Sequence, residues 1–350
     1  MTALMKRELR DADLSGVPLF IDHIFPDHVL PFQITQEHLA RLMNNDDQLY
    51  DQLTEKWVHC PNLSQKTEER QMVNWLNLVC TRLSQIDTLK TLVSKRIWSS
   101  HFATKPLGGS ATKRKPDIVL VNNFAQDGRV WQDIHSLIEM TMTLPKGADK
   151  TALTPSIKKT LGDKAFLMFE AQQNWRFVLA AAWIRTLLHI HLYDRAGVVR
   201  MVAFDIHKHP LQFLQFLVGI MFTDSDLIGY NPTIQTSPDG SMTVTVQNTY
   251  AIKETLCASG MIRGRATICW RAERDGRDYG EPHPDQVSYT WKSTPLLSSA
   301  KTEPSHRLIS PLASCTATPH TFRRQQDTAS ANVTPHGPLP STTTMRLSSS

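Results

Sequence analysis

Asp117 and Glu139 are the residues whose type and spacing could do chemistry: each lies in a short apolar run that reads as a β-strand, and the two runs are placed to pair as neighbours. Two carboxylates on adjacent strands supply hard oxygen ligands that suit Mg²⁺, and a cation held there could polarise a phosphodiester. The structural alternative has these acids capping strand ends or pairing with Lys113, Arg114 or Lys115. That cationic trio at a strand entrance could itself meet phosphates of nucleic acid or nucleotide. With no aromatic stacking platform interleaved, a solvated loop is the favoured reading. His189 and His191, and His207 and His209, are spaced to chelate zinc in pairs, but no cysteine or third ligand stands at a telling distance, which favours structural histidines. Trp131, Trp175, Trp183 and Trp270 fall in apolar runs and are expected in the core.

The elements that must position these groups can be read from periodicity. Met72, Val73, Leu76, Val79, Cys80 and Leu83 form an apolar stripe at helical spacing behind Glu68, Glu69 and Arg70, which predicts an amphipathic helix. Gly108 and Gly109 break that pattern, and Ile118-Val119-Leu120-Val121 is β-branched-rich. Asp127-Gly128 is a turn signal, and Val130 to Met142 returns as a second strand centred on Leu137 and Ile138. Thr160 to Gln173 reads as a helix and Arg176 to Trp183 as a strand. Leu188, Ile190 and Leu192 alternate with His189, His191 and Tyr193, the pattern of a half-buried strand that turns at Asp194-Arg195-Ala196-Gly197 into Val198 to Phe204. Pro210 opens a helix with an apolar face from Leu211 to Met221. Ser237-Pro238-Asp239-Gly240 joins a hairpin. From residue 292 to 350 roughly half the residues are Ser, Thr or Pro, a composition that cannot bury enough apolar surface to offset chain entropy, so a disordered tail is expected.

Composition excludes little. A hydrophobic fraction of 41% supports one or two ordinary cores, and a net charge of +5 over 350 residues is too weak a basic bias to name a partner. Five cysteines without a CxxC pair argue against a disulfide framework and a zinc module, and point to a reducing compartment. The first twenty residues carry no apolar signal region, and the longest apolar stretches fall well short of the roughly 20 residues a membrane helix needs. The expected location is therefore intracellular, cytoplasmic or nuclear.

Several short motifs carry a resemblance. Lys113-Arg114-Lys115-Pro116-Asp117, Gln173-Asn174-Trp175-Arg176-Phe177-Val178, Tyr193-Asp194-Arg195-Ala196-Gly197 and Leu227-Ile228-Gly229-Tyr230-Asn231-Pro232-Thr233-Ile234 occur in order. They are followed by Gly264-Arg265-Ala266-Thr267-Ile268-Cys269-Trp270-Arg271, which looks like the second half of a nucleotide-covering glycine loop and its second strand. With that series the chain resembles the fungal-type protein kinase family over about residues 60 to 291, and the resemblance implies an upstream module ahead of a kinase domain that uses ATP and Mg²⁺ on a protein substrate. It also implies weak nucleotide binding at Gly264, Arg265, Ala266 and Thr267, where family members read Gly-Arg-Gly-Thr; the Cβ of Ala266 would crowd phosphates approaching the backbone. Ser288, in Val287-Ser288-Tyr289-Thr290-Trp291, stands in the place of the strand lysine, and Lys292 lies four residues later. No His-Arg-Asp or Asp-Phe-Gly sequence occurs in the 350 residues, so the groups that hold metal and position a nucleophile for phosphoryl transfer have no visible source. Asp194-Arg195 echoes a kinase Asp-Arg pair but sits at a hairpin turn and is expected to be structural.

The pair Asp117 and Glu139 also resembles the PD-(D/E)xK nuclease-like core, in which the lysine two residues after the Glu positions water. Thr141 replaces that lysine here. Glu68 or Glu69 on the preceding helix and Gln172 or Gln173 on the following one would complete such a core. The expectation is an α+β protein: a mostly helical N-terminal region (1–105), an α/β module with a small sheet (106–235), a partial β-rich kinase N-lobe (236–291) and the tail (292–350). Two functions compete. One is a kinase-family protein that is catalytically silent as this chain stands, with a pseudokinase-like scaffold role toward a protein partner. The other is a degenerate nuclease-like module that binds metal or nucleic acid, and neither involves a membrane.

Overall fold

The computed structural model describes residues 9, 11–43, 48–62, 68–86, 93–110, 112–123, 130–141, 153–237, 239–245, 248–258, 268–274, 287–292 and 316–321, the last two segments as backbone only. The chain is α+β, as expected, with five α-helices and two large sheets among the described residues. In chain order the first half contains β1 (Asp13–Val17), α1 (Phe20–Ile24), α2 (Gln36–Met43), a ribbon of β2 (Tyr50–Asp51) and β3 (Lys56–Trp57), α3 (Glu69–Gln85), β4 (Arg96–Ser99), β5 (Ile118–Asn122), β6 (Ser136–Thr141) and α4 (Pro155–Ala171). Then follow β7 (Phe177–Ile184), β8 (Leu187–Asp194), β9 (Gly197–Met201), β10 (Phe204–Asp205) and α5 (Pro210–Phe222). The last strands are β11 (Ile234–Thr236), β12 (Met242–Thr245), β13 (Thr249–Ala258), β14 (Ile268–Arg274), β15 (Val287–Lys292) and β16 (Thr316–Thr321).

The main sheet runs β1-β9-β8-β7-β6-β5-β4, with β10 beside β8, and is larger than the small sheet expected because β1 and β4 join it from the first hundred residues. β7 lies parallel to β6, so the chain must cross over between them, and α4 is that crossover. β7 is buried along its whole length, which its sequence Phe-Val-Leu-Ala-Ala-Ala-Trp-Ile anticipates: a strand covered on both faces has no polar side. One face packs on α3 and α5 through Met72, Trp75, Leu76, Trp183, Phe213 and Leu217. The other face packs on α4 through Leu137, Ala180, Ala182, Leu161, Ala165 and Met168.

Helix starts follow local rules. Thr154 caps α4, its Oγ1 accepting from the Ile157 amide at 3.3 Å, and Pro155 and Pro210 occupy first turns where no amide donor is needed. The half-buried reading of β8 is corrected: His189 and His191 are as buried as Leu188, Ile190 and Leu192, with which they alternate, because α4 covers their face of the sheet while α5 covers the other. Trp131, Trp175, Trp183 and Trp270 are all buried. Asp194 acts as a turn residue, its Oδ1 accepting from the amides of Ala196 at 2.8 Å and Gly197 at 3.0 Å, while Arg195 lies over the Phe169 ring.

β11 to β16 form a second, antiparallel sheet in sequence order. Of the tail expected after residue 291, Lys292 ends β15, Thr316–Thr321 pairs with it as β16, and the remainder lies outside the described residues.

Candidate metal and phosphate site

The register Ile118↔Ile138 between β5 and β6 sets Asp117 across from Glu139. Pro116 holds the chain extended on entry to β5, and the two acids then knit their strands together: the Met140 amide donates to Asp117 Oδ2 at 2.8 Å, and the Asp117 amide donates to Glu139 Oε1 at 3.5 Å. The pair that the sequence singled out is therefore one centre. Glu139 is only 8% exposed, and Asp117 lies partly open beside it.

The cation beside Glu139 is neither Lys113, Arg114 nor Lys115. Arg114 turns to Asp163 at 2.7 Å, and Lys113 and Lys115 are exposed. Lys164, from the middle of α4, reaches Glu139 Oε1 in a buried ion pair. Sequence reasoning assigned Lys164 to a helix and went no further. The signal was there in its neighbours, since a lysine set among Leu161, Gly162, Ala165, Phe166, Leu167 and Met168 needs a buried partner.

Burial dominates the electrostatics of both acids. Burial raises the carboxyl of Glu139 to about 7 against the pull of Lys164, with Asp117 adding repulsion. Burial also raises Asp117, offset in part by its bond from the Met140 amide and by Lys164, and Glu69 at the start of α3 adds a smaller repulsion. Two carboxylates face one ammonium, and burial disfavours carrying both negative charges there. Glu69 is the acid that approaches, while Glu68 serves as the N-cap of α3. Among the described residues no three His, Cys, Asp or Glu side chains converge on one ion position; a two-carboxylate site filled out by water is what Mg²⁺ commonly accepts.

The two glutamines do other work. Gln172 Nε2 donates to the carbonyls of Trp131 and Ile134, and its Oε1 accepts from Trp175 Nε1 at 2.5 Å and Tyr230 at 3.2 Å. Gln173 Oε1 accepts from Trp270 Nε1 at 2.8 Å and Thr255 at 3.1 Å, tying the end of α4 to the second sheet. Neither reaches the acids. The histidine pairs do not chelate either: His207 Nδ1 accepts from the Trp57 amide, His209 precedes α5, and His189 and His191 are held neutral by burial, at about 4 and about 3.

In the second sheet β13, β14 and β15 follow one another antiparallel, and the register sets Ser288 opposite Arg271. Gly264, Arg265, Ala266 and Thr267 lie outside the described residues. Two of the motifs quoted above meet in space: the Arg176 amide donates to the Gly229 carbonyl, the Asn231 amide to that of Asn174, and the Trp175 and Tyr230 rings lie 4.7 Å apart. A comparison with known families matches residues 115–295, just over half of the chain, to the family described as fungal protein kinase. The chain belongs to that family. Asp117, Glu139 and Lys164 fall inside the region matched to the fungal protein kinase family, as do β11 to β15. No curated protein and no solved structure matches the chain. No helix among the described residues is long and apolar enough to cross a membrane.

Proposed function

We propose that this member of the fungal protein kinase family works as a binding protein rather than as a phosphotransferase, with Asp117 and Glu139 as a centre for a divalent metal ion and a phosphodiester. The observation that carries the reading is the pair itself: two carboxylates from adjacent strands, Asp117 accepting from the Met140 amide and Glu139 from the Asp117 amide, with Lys164 of α4 paired to Glu139. The donor set is all oxygen and fits Mg²⁺ or Mn²⁺. Such an ion would add Lewis acidity toward a phosphoryl oxygen, and Lys113 and Lys115 stand exposed a few residues before Asp117 to meet neighbouring phosphates.

Calorimetric titration with Mn²⁺ tests it. The wild-type chain should bind one ion, and Asp117→Asn, which keeps an acceptor for the Met140 amide, should bind about 10-fold or more weakly. Absence of any binding to the wild type ends this reading. The reading of the kinase half as silent rests on Ser288, which stands on β15 in the lysine position. Incubation with labelled ATP and a generic acceptor protein should give no transfer; transfer that disappears in Lys292→Ala would refute it.

A further inference from the structure

We infer that Asn77 and Ser94 seal the β4 edge of the main sheet against a second copy of this chain. Their side chains occupy the backbone groups through which another strand would pair.

Among the described strands the main sheet ends at β4, which pairs with β5 on one side. A terminal strand presents a row of free N–H and C=O groups, a template for pairing with another chain, and a copy of the same chain is always at hand to fill it. β4 runs antiparallel to β5, so its residues alternate between bonding to β5 and turning their backbone groups outward. The Asn123 amide donates to the Lys95 carbonyl at 2.7 Å, which sets the phase. Lys95, Ile97 and Ser99 bond toward β5, while Arg96 and Trp98 turn their amides and carbonyls away from the sheet.

Both outward residues are closed off. Asn77 Nδ2 donates to the Trp98 carbonyl at 2.9 Å, and its Oδ1 accepts from the Trp98 amide at 3.1 Å. A side-chain amide carries the donor and acceptor of a peptide group, so Asn77 stands where the next strand would place one. Ser94 Oγ does the same for Arg96, donating to its carbonyl at 2.7 Å and accepting from its amide at 3.2 Å. The placement follows from α3. Leu76 and Cys80 share the core with Trp98, so Asn77, next to Leu76, falls on the margin of the helix beside the last strand. Bulk does not close the edge: an open cavity of about 300 Å³ lies along β4, with Asn77, Thr81, Ser84, Ser94 and Ile97 in its lining. Ile97, 37% exposed, would gain apolar contact from an incoming strand. Hydrogen-bond occupancy is therefore what excludes a partner.

Analytical ultracentrifugation of the full chain, wild type against Asn77→Ala, tests the seal, with circular dichroism to read folding. Alanine is the better helix former and leaves the Trp98 groups facing the open cavity, so the variant should stay folded. Its weight-average mass should exceed that of the wild type at the same high concentration by about two-fold or more. Adding Ile97→Lys to Asn77→Ala should restore wild-type behaviour, because a lysine on an edge strand repels its own copy. A folded Asn77→Ala that sediments as the wild type does overturns the inference, and so does association that Ile97→Lys fails to relieve. Should Asn77→Ala not fold, Ser94→Ala opens the Arg96 groups instead, and its mass must rise in the same way; a wild-type mass there refutes the seal.

Discussion

Gly229→Ala should destabilise the chain by about 3–5 kcal/mol, a large share of the stability of an ordinary domain. Gly229 has φ +128° and ψ −12°, a backbone state that L side chains rarely adopt, and an added Cβ would lie 2.1 Å from the carbonyl oxygen of Phe177 and 3.0 Å from the Trp175 ring. Neither neighbour can retreat. Phe177 opens the most buried strand and is paired with Asp194, and Trp175 is fixed by its bond to Gln172. Gly240→Ala is the control, since φ there is +84° but nothing lies within 4 Å, and the cost should be about 1 kcal/mol. Urea melts of the two variants would separate steric conflict from backbone preference. Equal midpoints would mean that the close approach of the two motifs contributes nothing.

Stability should also fall on mild acidification, by about 3 kcal/mol per pH unit between about pH 6 and pH 5. Burial holds His135 at about 3, His189 at about 4 and His191 at about 3, against an ordinary value of 6.5. Their folded values are depressed, so their contribution is complete above 6.5 and is lost as the pH falls toward the folded values, because the unfolded chain takes up three protons that the folded one refuses. Glu139 works in the opposite direction. Its raised carboxyl binds a proton below about 7 that the unfolded chain releases until its ordinary 4.5, which leaves a net difference of about two protons through this window. Thermal melts across the window measure the slope, and His191→Gln should reduce it by about one proton's worth. A melting temperature that stays level down to about pH 5 would contradict the burial of these rings.

Much of the fold follows from local pattern. The stripe from Met72 to Leu83 is a helix because its apolar residues recur at helical spacing, and β5 and β7 are strands because β-branched and small apolar residues run together between turn signals. The turn chemistry of Asp194 depends on neighbours only a few residues away, so it too was readable, whereas α4 starts at Pro155 behind its Thr154 cap, five residues before the Thr160 start expected. The acid pair was legible for the same reason: two adjacent antiparallel strands carry a fixed two-residue period, and Asp117 and Glu139 fall on matching places in it.

What the tertiary structure alone decided involves partners separated along the chain. Lys164 lies 25 residues from Glu139, and no spacing rule links a helix position to a strand position across a crossover; only the seating of α4 on Ala180 and Ala182 brings them together. Gln172 and Gln173, adjacent in sequence, point into different networks because α4 ends between them and the two sheets. β1 enters the main sheet beside β9, some 185 residues later, through backbone pairing that side-chain periodicity does not encode. The histidines of β8 read as a polar face, since alternation reports which residues share a side and cannot report whether another element covers it. The sequence determined the helices, the strands and the two carboxylates. Packing supplied the cation and the cover, because these depend on distances through space rather than on order along the chain.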